Sequence, residues 1–149
     1  MKNLGIACCA VLLALSIGCK DEPQTEIDDM LIREYIEENM LEAESTESGL
    51  YIVIEEPGND QHPDITNRVS IRYAGSLLNG NQFDSSNGNV VSFNLWELIA
   101  GWQEGIPYFG KGGSGQLLVP SHLGYGSRQV GSIPPNSVLV FDIELVDFN

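Results

Sequence analysis

The sequence predicts an α+β fold: one antiparallel sheet with a single short helix, preceded by an added N-terminal helix. Three observations predict it. From Leu50 onward, apolar residues alternate with polar ones at the period of half-buried strands. One stretch, from about Leu95 to Gln103, interrupts that alternation and reads as the short helix. Before Leu50, residues 26–41 hold neither Gly nor Pro and space their apolar residues by four. A chain of 149 residues, 42% apolar, suffices for one such domain with appendages and excludes wholesale disorder.

In chain order, residues 1–18 read as a secretory leader: Lys2, an apolar run from Leu4 to Ile17, then Gly18. The run falls short of the ~20 residues that a membrane-spanning helix needs. Ser16-Ile17-Gly18-Cys19 resembles a bacterial lipobox, with the usual Leu one place early at Leu15. That resemblance implies cleavage before Cys19 and its lipidation, with several acyl chains giving a firm membrane anchor. An ordinary secretory peptide is the alternative. Cys8 and Cys9 would leave with the leader, which excludes cysteine catalysis, Cys-based metal binding and redox chemistry in the mature chain. Residues 19–25 read as a lipid-anchored tether. Within it Lys20-Asp21-Glu22 resembles the acidic export signal of some surface-displayed Gram-negative lipoproteins, or is simply solvated. The expected location is the outer membrane, on its periplasmic face or at the cell surface.

Residues 26–48 read as an acidic helix and a polar linker. Thr25 with Asp28 forms a capping-box pattern, and acids in the first turn suit the helix dipole. Ile27, Leu31 and Tyr35 make one apolar row, and Ile32, Ile36 and Met40 a second. Two rows ask for a packing partner, either the chain's own domain or a second copy, so a monomer and an N-terminal-helix dimer both stay open.

Residues 49–149 carry the sheet. Leu50 to Ile54 is a short strand closed by Pro57-Gly58. Over residues 69–77 Val69, Ile71, Tyr73, Gly75 and Leu77 share a face, so Tyr73 points inward. Asn79-Gly80 supplies a tight hairpin turn. The last strand, about Ser137 to Asp147, aligns Leu139, Phe141, Ile143 and Leu145, with Asp142, Glu144 and two valines opposite.

Charge and motifs narrow the function. Of the net charge of −14, nearly all lies in residues 20–64, where fifteen acids face only Lys20 and Arg33. That stretch reads as a solvated spacer, and the scarcity of basic residues excludes an electrostatic nucleic-acid binder. Gly110 to Gly115 matches G-x-G-x-x-G, but Pro107 precedes it and a strand-like, Pro-ended run follows, so it reads as a loop rather than a dinucleotide site. The same segment misses a P-loop because Gly112 stands where the magnesium-binding hydroxyl is needed. His62 and His122, sixty residues apart, do not suggest a metal centre, and His122 reads as a turn residue. No G-x-S-x-G elbow supports a serine nucleophile.

Five segments in register resemble the FKBP-type peptidyl-prolyl cis-trans isomerases. They are VSIRYAG (Val69 to Gly75), NGNQFDSS (Asn79 to Ser86), LIAGWQEG (Leu98 to Gly105), LVPSHLGYG (Leu118 to Gly126) and GSIPPNSVLVFDIEL (Gly131 to Leu145). The resemblance implies a curved sheet wrapped around the short helix and an isomerase domain over residues 49–149. It makes Trp102 the floor of an apolar pocket, with Tyr73, Phe83, Val91, Leu98, Ile99, Ile133 and Phe141 as walls. Tyr125 would donate its hydroxyl hydrogen bond to a peptide carbonyl, the Ile99 backbone N–H would take another, and Asp84 would stand at the rim beside the twisting amide. For single residues, core packing explains as much. A Trp, two Tyr and an Asp together are costly in a core unless their polar atoms find partners.

Isomerisation breaks no covalent bond, so the resemblance implies neither cofactor nor metal. It implies proline-containing polypeptide substrates, with an apolar residue preferred before the proline, and a pocket open to macrolide inhibitors. Two departures stand out. Asn87-Gly88-Asn89 shortens the segment where well-known members carry an Arg paired with the Asp, leaving Asp84 unpaired or dependent on Arg72 or Arg128. Ser132 stands where an aliphatic residue is usual. The alternative reading is a non-catalytic peptide-binding or holdase module on the same fold, and a third, surface adhesion, rests only on Lys20-Asp21-Glu22.

Overall fold

The computed structural model describes residues 22–149. The expected leader 1–18, Cys19 and the start of the tether lie outside the described residues. The first element is helix α1 (Gln24–Glu38). After it come strands β1 (Glu44–Ser45), β2 (Tyr51–Glu56), β3 (Arg68–Leu77), β4 (Gln82–Ser85) and β5 (Val91–Asn94). Helix α2 (Ala100–Gly105) and strands β6 (Ser114–Val119) and β7 (Leu139–Phe148) complete the chain.

The strands form one antiparallel sheet in the order β1-β2-β6-β7-β3-β4, with β5 also pairing β3. Strand β3 organises it. One edge pairs with β7 from Val69 to Leu77, while the other takes β5 along Arg68–Ile71 and β4 along Ala74–Ser76. Irregular register at Ser70/Ile71 and at Gly75/Ser76 bends β3. The β3–β4 hairpin turns at Asn79-Gly80, as expected, with the Gly80 N–H donating to the Leu77 carbonyl at 2.9 Å. Gly80 has φ +83°, a value a side chain disfavours.

The alternation in β7 holds. Leu139, Phe141, Ile143 and Leu145 are buried in the main core with Val69, Ile71, Leu117 and Val119. Their neighbours Val138 and Val140 face the other way, into a smaller cluster with Tyr51, Leu118 and Ile32 of α1. Thus α1 packs on the sheet face opposite α2. Its row ends differently from the expectation, because the helix stops at Glu38 and Met40 lies beyond it, 90% exposed with φ +53°.

Three further expectations are corrected. The capping box does not form: Pro23 precedes the first turn without a side-chain cap. Asp28 is instead fully buried and reaches across to Ser121. The polar linker 43–48 contains β1, which pairs with Tyr51 and Ile52 of β2. The helical stretch 95–103 divides into a 3-10 turn, Leu95–Glu97, and then α2, whose N-terminal flank is the extended residue Ile99.

Helix α2 lies unusually close to β6. A Cβ on Gly101 would fall 2.5 Å from Val119 Cγ1, and one on Gly105 2.6 Å from Leu117 Cδ2. Gly101 and Gly105 share one helix face by their spacing of four, and Leu117 and Val119 share one strand face by their spacing of two. Two glycines thus form a flat underside on which the helix rests. That seating fixes the height of Trp102, the next residue.

Candidate functional site

Trp102 is 5% exposed and sits among three rings, all edge-on to it. Its centroid is 5.2 Å from Tyr73, 5.0 Å from Phe141 and 6.5 Å from Phe93. Phe83 stands edge-on to Phe141 at 5.6 Å. Such geometry sets the positive edge of one ring against the negative face of another. Gly75 makes room for it, because a Cβ there would lie 2.6 Å from the Phe83 ring and 2.8 Å from Phe141. The Trp102 indole Nε1–H is buried without an acceptor among the described residues. Around that buried N–H the floor is built of aromatic rings.

Above it opens a cavity of about 350 Å³, within the range of small-ligand pockets. Nine of the ten residues expected on its surface do line it: Tyr73, Phe83, Asp84, Leu98, Ile99, Trp102, Tyr125, Ile133 and Phe141. Val91 does not. It packs half-buried against the main core, and this wall belongs to Phe93, two residues on and on the same face of β5. The sequence reading missed Phe93, although the period of two pointed to it once Val91 was turned inward. It also missed Val130 and Gly131, and took Ser132 only as a departure. These residues form a tight turn in which Val130 and Ile133 exchange backbone hydrogen bonds of 3.1 and 2.9 Å, with Gly131 at φ +56°.

The rim is polar at two points. Asp84 Oδ2 accepts a hydrogen bond from the Tyr73 hydroxyl at 2.7 Å, and Oδ1 accepts from the Ser85 N–H at 2.8 Å. Of the alternatives the sequence left open, an unpaired Asp84 or a borrowed arginine, the borrowed arginine does not form among the described residues. Arg72 pairs with Glu144 at 2.7 Å and donates to the Gly88 carbonyl, and no ion pair among the described residues joins Arg128 to Asp84. Burial, followed by the hydrogen bond to Asp84, pushes the Tyr73 hydroxyl up to about 12, so it stays protonated and donating near neutrality. Ser86 secures this corner: its N–H donates to the Tyr73 carbonyl and its Oγ accepts from the Tyr73 N–H.

Ile99 presents a different polar group. Its carbonyl accepts from Trp102 N–H at 2.9 Å and Gln103 N–H at 3.1 Å, while its own N–H meets no acceptor among the described residues. That is the ordinary condition of an N–H at a helix start. The arrangement thus offers an apolar floor, one carboxylate held by a phenol, and free backbone and hydroxyl donors at the walls. It suits an extended peptide whose central side chain enters the floor while its carbonyls meet the donors.

Comparison with known proteins agrees. Residues 59–146 match the model of the FKBP-type peptidyl-prolyl cis-trans isomerase family. The FKBP-type isomerase FkpA of Buchnera aphidicola subsp. Schizaphis graminum is 45% identical over 105 residues, 68% of this chain and 42% of that one. FkpA of Escherichia coli K12 is 39% identical over 131 residues, 86% of this chain and 48% of its own. The chain thus spans about half the length of these curated relatives. Among solved structures, E. coli FkpA superposes with a TM-score of 0.74 at 36% identity, covering 84% of this chain and 61% of that one. A peptidyl-prolyl cis-trans isomerase from Pseudomonas syringae pv. tomato superposes with a TM-score of 0.72 at 30% identity, covering 87% and 98%. With the aromatic pocket, the sheet around α2 and the matched segment in agreement, the chain belongs to the FKBP-type peptidyl-prolyl cis-trans isomerase family.

Proposed function

We propose that the chain is a peptidyl-prolyl cis-trans isomerase acting on X-Pro bonds of exported proteins. The observation that carries this is the cavity floored by Trp102 and ringed by Tyr73, Phe93 and Phe141, with Asp84 at its rim. Rotation about a peptide bond faces roughly 18–20 kcal/mol, most of it lost amide resonance. In the twisted state the carbonyl carries less charge, so a water-poor pocket favours that state over the planar amide. The Tyr125 hydroxyl and Ile99 N–H hold the flanking carbonyls, and Asp84 faces the amide as its nitrogen gains basicity. Wall residues of this kind favour an apolar residue before the proline, and the cavity's size and apolar floor suit a macrolide inhibitor.

The test is isomerisation of an X-Pro peptide by the mature chain, with and without a macrolide. Asp84→Ala removes an interaction of about 1 kcal/mol and is expected to slow the reaction roughly fivefold. A wild-type rate equal to that of buffer overturns the proposal. The second reading, a non-catalytic holdase, draws on the pairing of Asp84 with a phenol in place of an arginine. It gains if client aggregation is suppressed equally by wild type and Trp102→Ala.

The proposal extends to location. Cleavage before Cys19 and its lipidation would anchor the domain to the outer membrane, with residues 20–48 as the acidic spacer. No helix among the described residues is long and apolar enough to cross a membrane. Replacing Cys19 by Ser is expected to move the protein from the membrane fraction to the soluble exported one; unchanged partition would count against the anchor. The docking of α1 on its own sheet supports a monomeric unit.

A further inference from the structure

The isomerase reading leaves one buried charge unused. Asp28 lies on α1, outside the segment that matches the family, and is fully buried. Its Oδ1 accepts from Gln24 Nε2 at 2.7 Å, and its Oδ2 accepts from both the N–H and the hydroxyl of Ser121, at 2.8 and 2.6 Å. Burial of a carboxylate is tolerated only with donors of this quality, and such charge-assisted bonds are stronger than neutral ones. They end on a segment that needs holding. Between β6 and β7 the chain runs from Pro120 to Val138 without a regular strand. This connection carries Tyr125 and the Val130–Ile133 turn, five of the cavity's lining residues in a stretch with no ladder to fix it.

Ser121 is its root. The Ser121 carbonyl accepts from the Gly124 N–H at 3.0 Å and the Gly126 N–H at 2.8 Å, bonds that bracket Tyr125. The Gly126 carbonyl in turn accepts from the Asn136 N–H at 2.8 Å, closing the far part of the loop. The neighbouring His122 contacts the Ser48 carbonyl through Nε2 at 2.9 Å, and Ser48 donates to Glu104 of α2. The side-chain hydrogen bonds that tie the root down from outside the loop among the described residues, to Ser121 and from His122, therefore go to residues 24–48, not to the matched segment.

We propose that Asp28 is a positioning residue for the Tyr125 wall, acting through Ser121, so that α1 is a working part of the substrate pocket. The proposal rests on the isomerase reading for its kinetic consequence. Asp28→Asn keeps size and shape but removes the charge: its one amide oxygen still accepts from Ser121, so both bonds there weaken from charge-assisted to neutral, while its NH2 meets Gln24. Displacing Tyr125 weakens peptide binding in ground and transition states alike, so KM should rise about fivefold with kcat nearly unchanged. Because the effect passes through Tyr125, Asp28→Asn placed on Tyr125→Phe should add little. Ser121→Ala, which spares the N–H bond, should move KM in the same direction by about half as much on a logarithmic scale.

Amide hydrogen exchange separates this proposal from the activity itself. In Asp28→Asn the amides of residues 122–126 should lose protection about tenfold while β3 and β7 keep theirs. If the wild type proves inactive, the isomerase reading falls but this exchange pattern still decides the positioning role. An unchanged KM in both variants, additive effects with Tyr125→Phe, or protection lost equally across the sheet overturns the proposal.

Discussion

Trp102→Ala is expected to unseat both the fold and the reaction, and to do so separably. Removing a buried aromatic side chain costs roughly 3–5 kcal/mol, because the cavity left behind is only partly refilled. The three rings that meet Trp102 come from β3, β5 and β7, so collapse would require the sheet to move as well as the side chains. The melting temperature should fall by roughly 10–20 °C for a domain of this size. Isomerisation, measured well below the lower midpoint, should still fall more than tenfold, since water then reaches the floor and the planar amide is no longer disfavoured. Trp102→Phe should lose much less of either, because the indole Nε1–H has no acceptor to forfeit and a ring remains to exclude water. A folded Trp102→Ala protein with the wild-type rate would sink the pocket's assigned role.

The floor was legible in the sequence because it uses local rules. Alternation in β3 and β7 turned Tyr73 and Phe141 inward, Asn79-Gly80 marked the hairpin, and the family-like segment around Trp102 placed the ring. What could not be read depends on pairing across distance. Asp28 carries the residue type and spacing of a capping box, yet its partner Ser121 is 93 positions away and only the docking of α1 brings them together. For Asp84 the family resemblance points to an arginine, which left it unpaired or borrowing Arg72 or Arg128. Its donor is the Tyr73 phenol, from the strand that pairs with its own, where Gly75 faces Asp84. Val91 and Phe93 obey the same alternation, and only the depth of β5 in the sheet decides which one reaches the cavity. Periodicity gives the face; it does not give the position along the face.

Gly101→Ala puts the seating of that floor to a direct test, with two opposed effects of known size. Alanine improves helix propensity by about 1 kcal/mol over glycine. Against this, the new methyl would sit 2.5 Å from Val119 Cγ1 and 3.0 Å from Cγ2. Val119 is fully buried in β6, between β2 and β7, and a β-branched side chain has little freedom to turn aside. Overpacking of this kind costs about 1–3 kcal/mol, so the net change should be destabilising by up to about 2 kcal/mol. The helix must also lift from the sheet, carrying Trp102 away from Tyr73 and Phe141, and isomerisation should fall about tenfold. The same substitution made in a Val119→Ala background loses both γ-methyl clashes and keeps only the Cβ contact at 3.3 Å, so the propensity gain dominates. There Gly101→Ala should stabilise, a reversal of sign that urea denaturation can read directly. If Gly101→Ala destabilised both backgrounds equally, close approach to Val119 would not be what the glycine is for, and the height of Trp102 would have to be set by the turn at Ile99 instead.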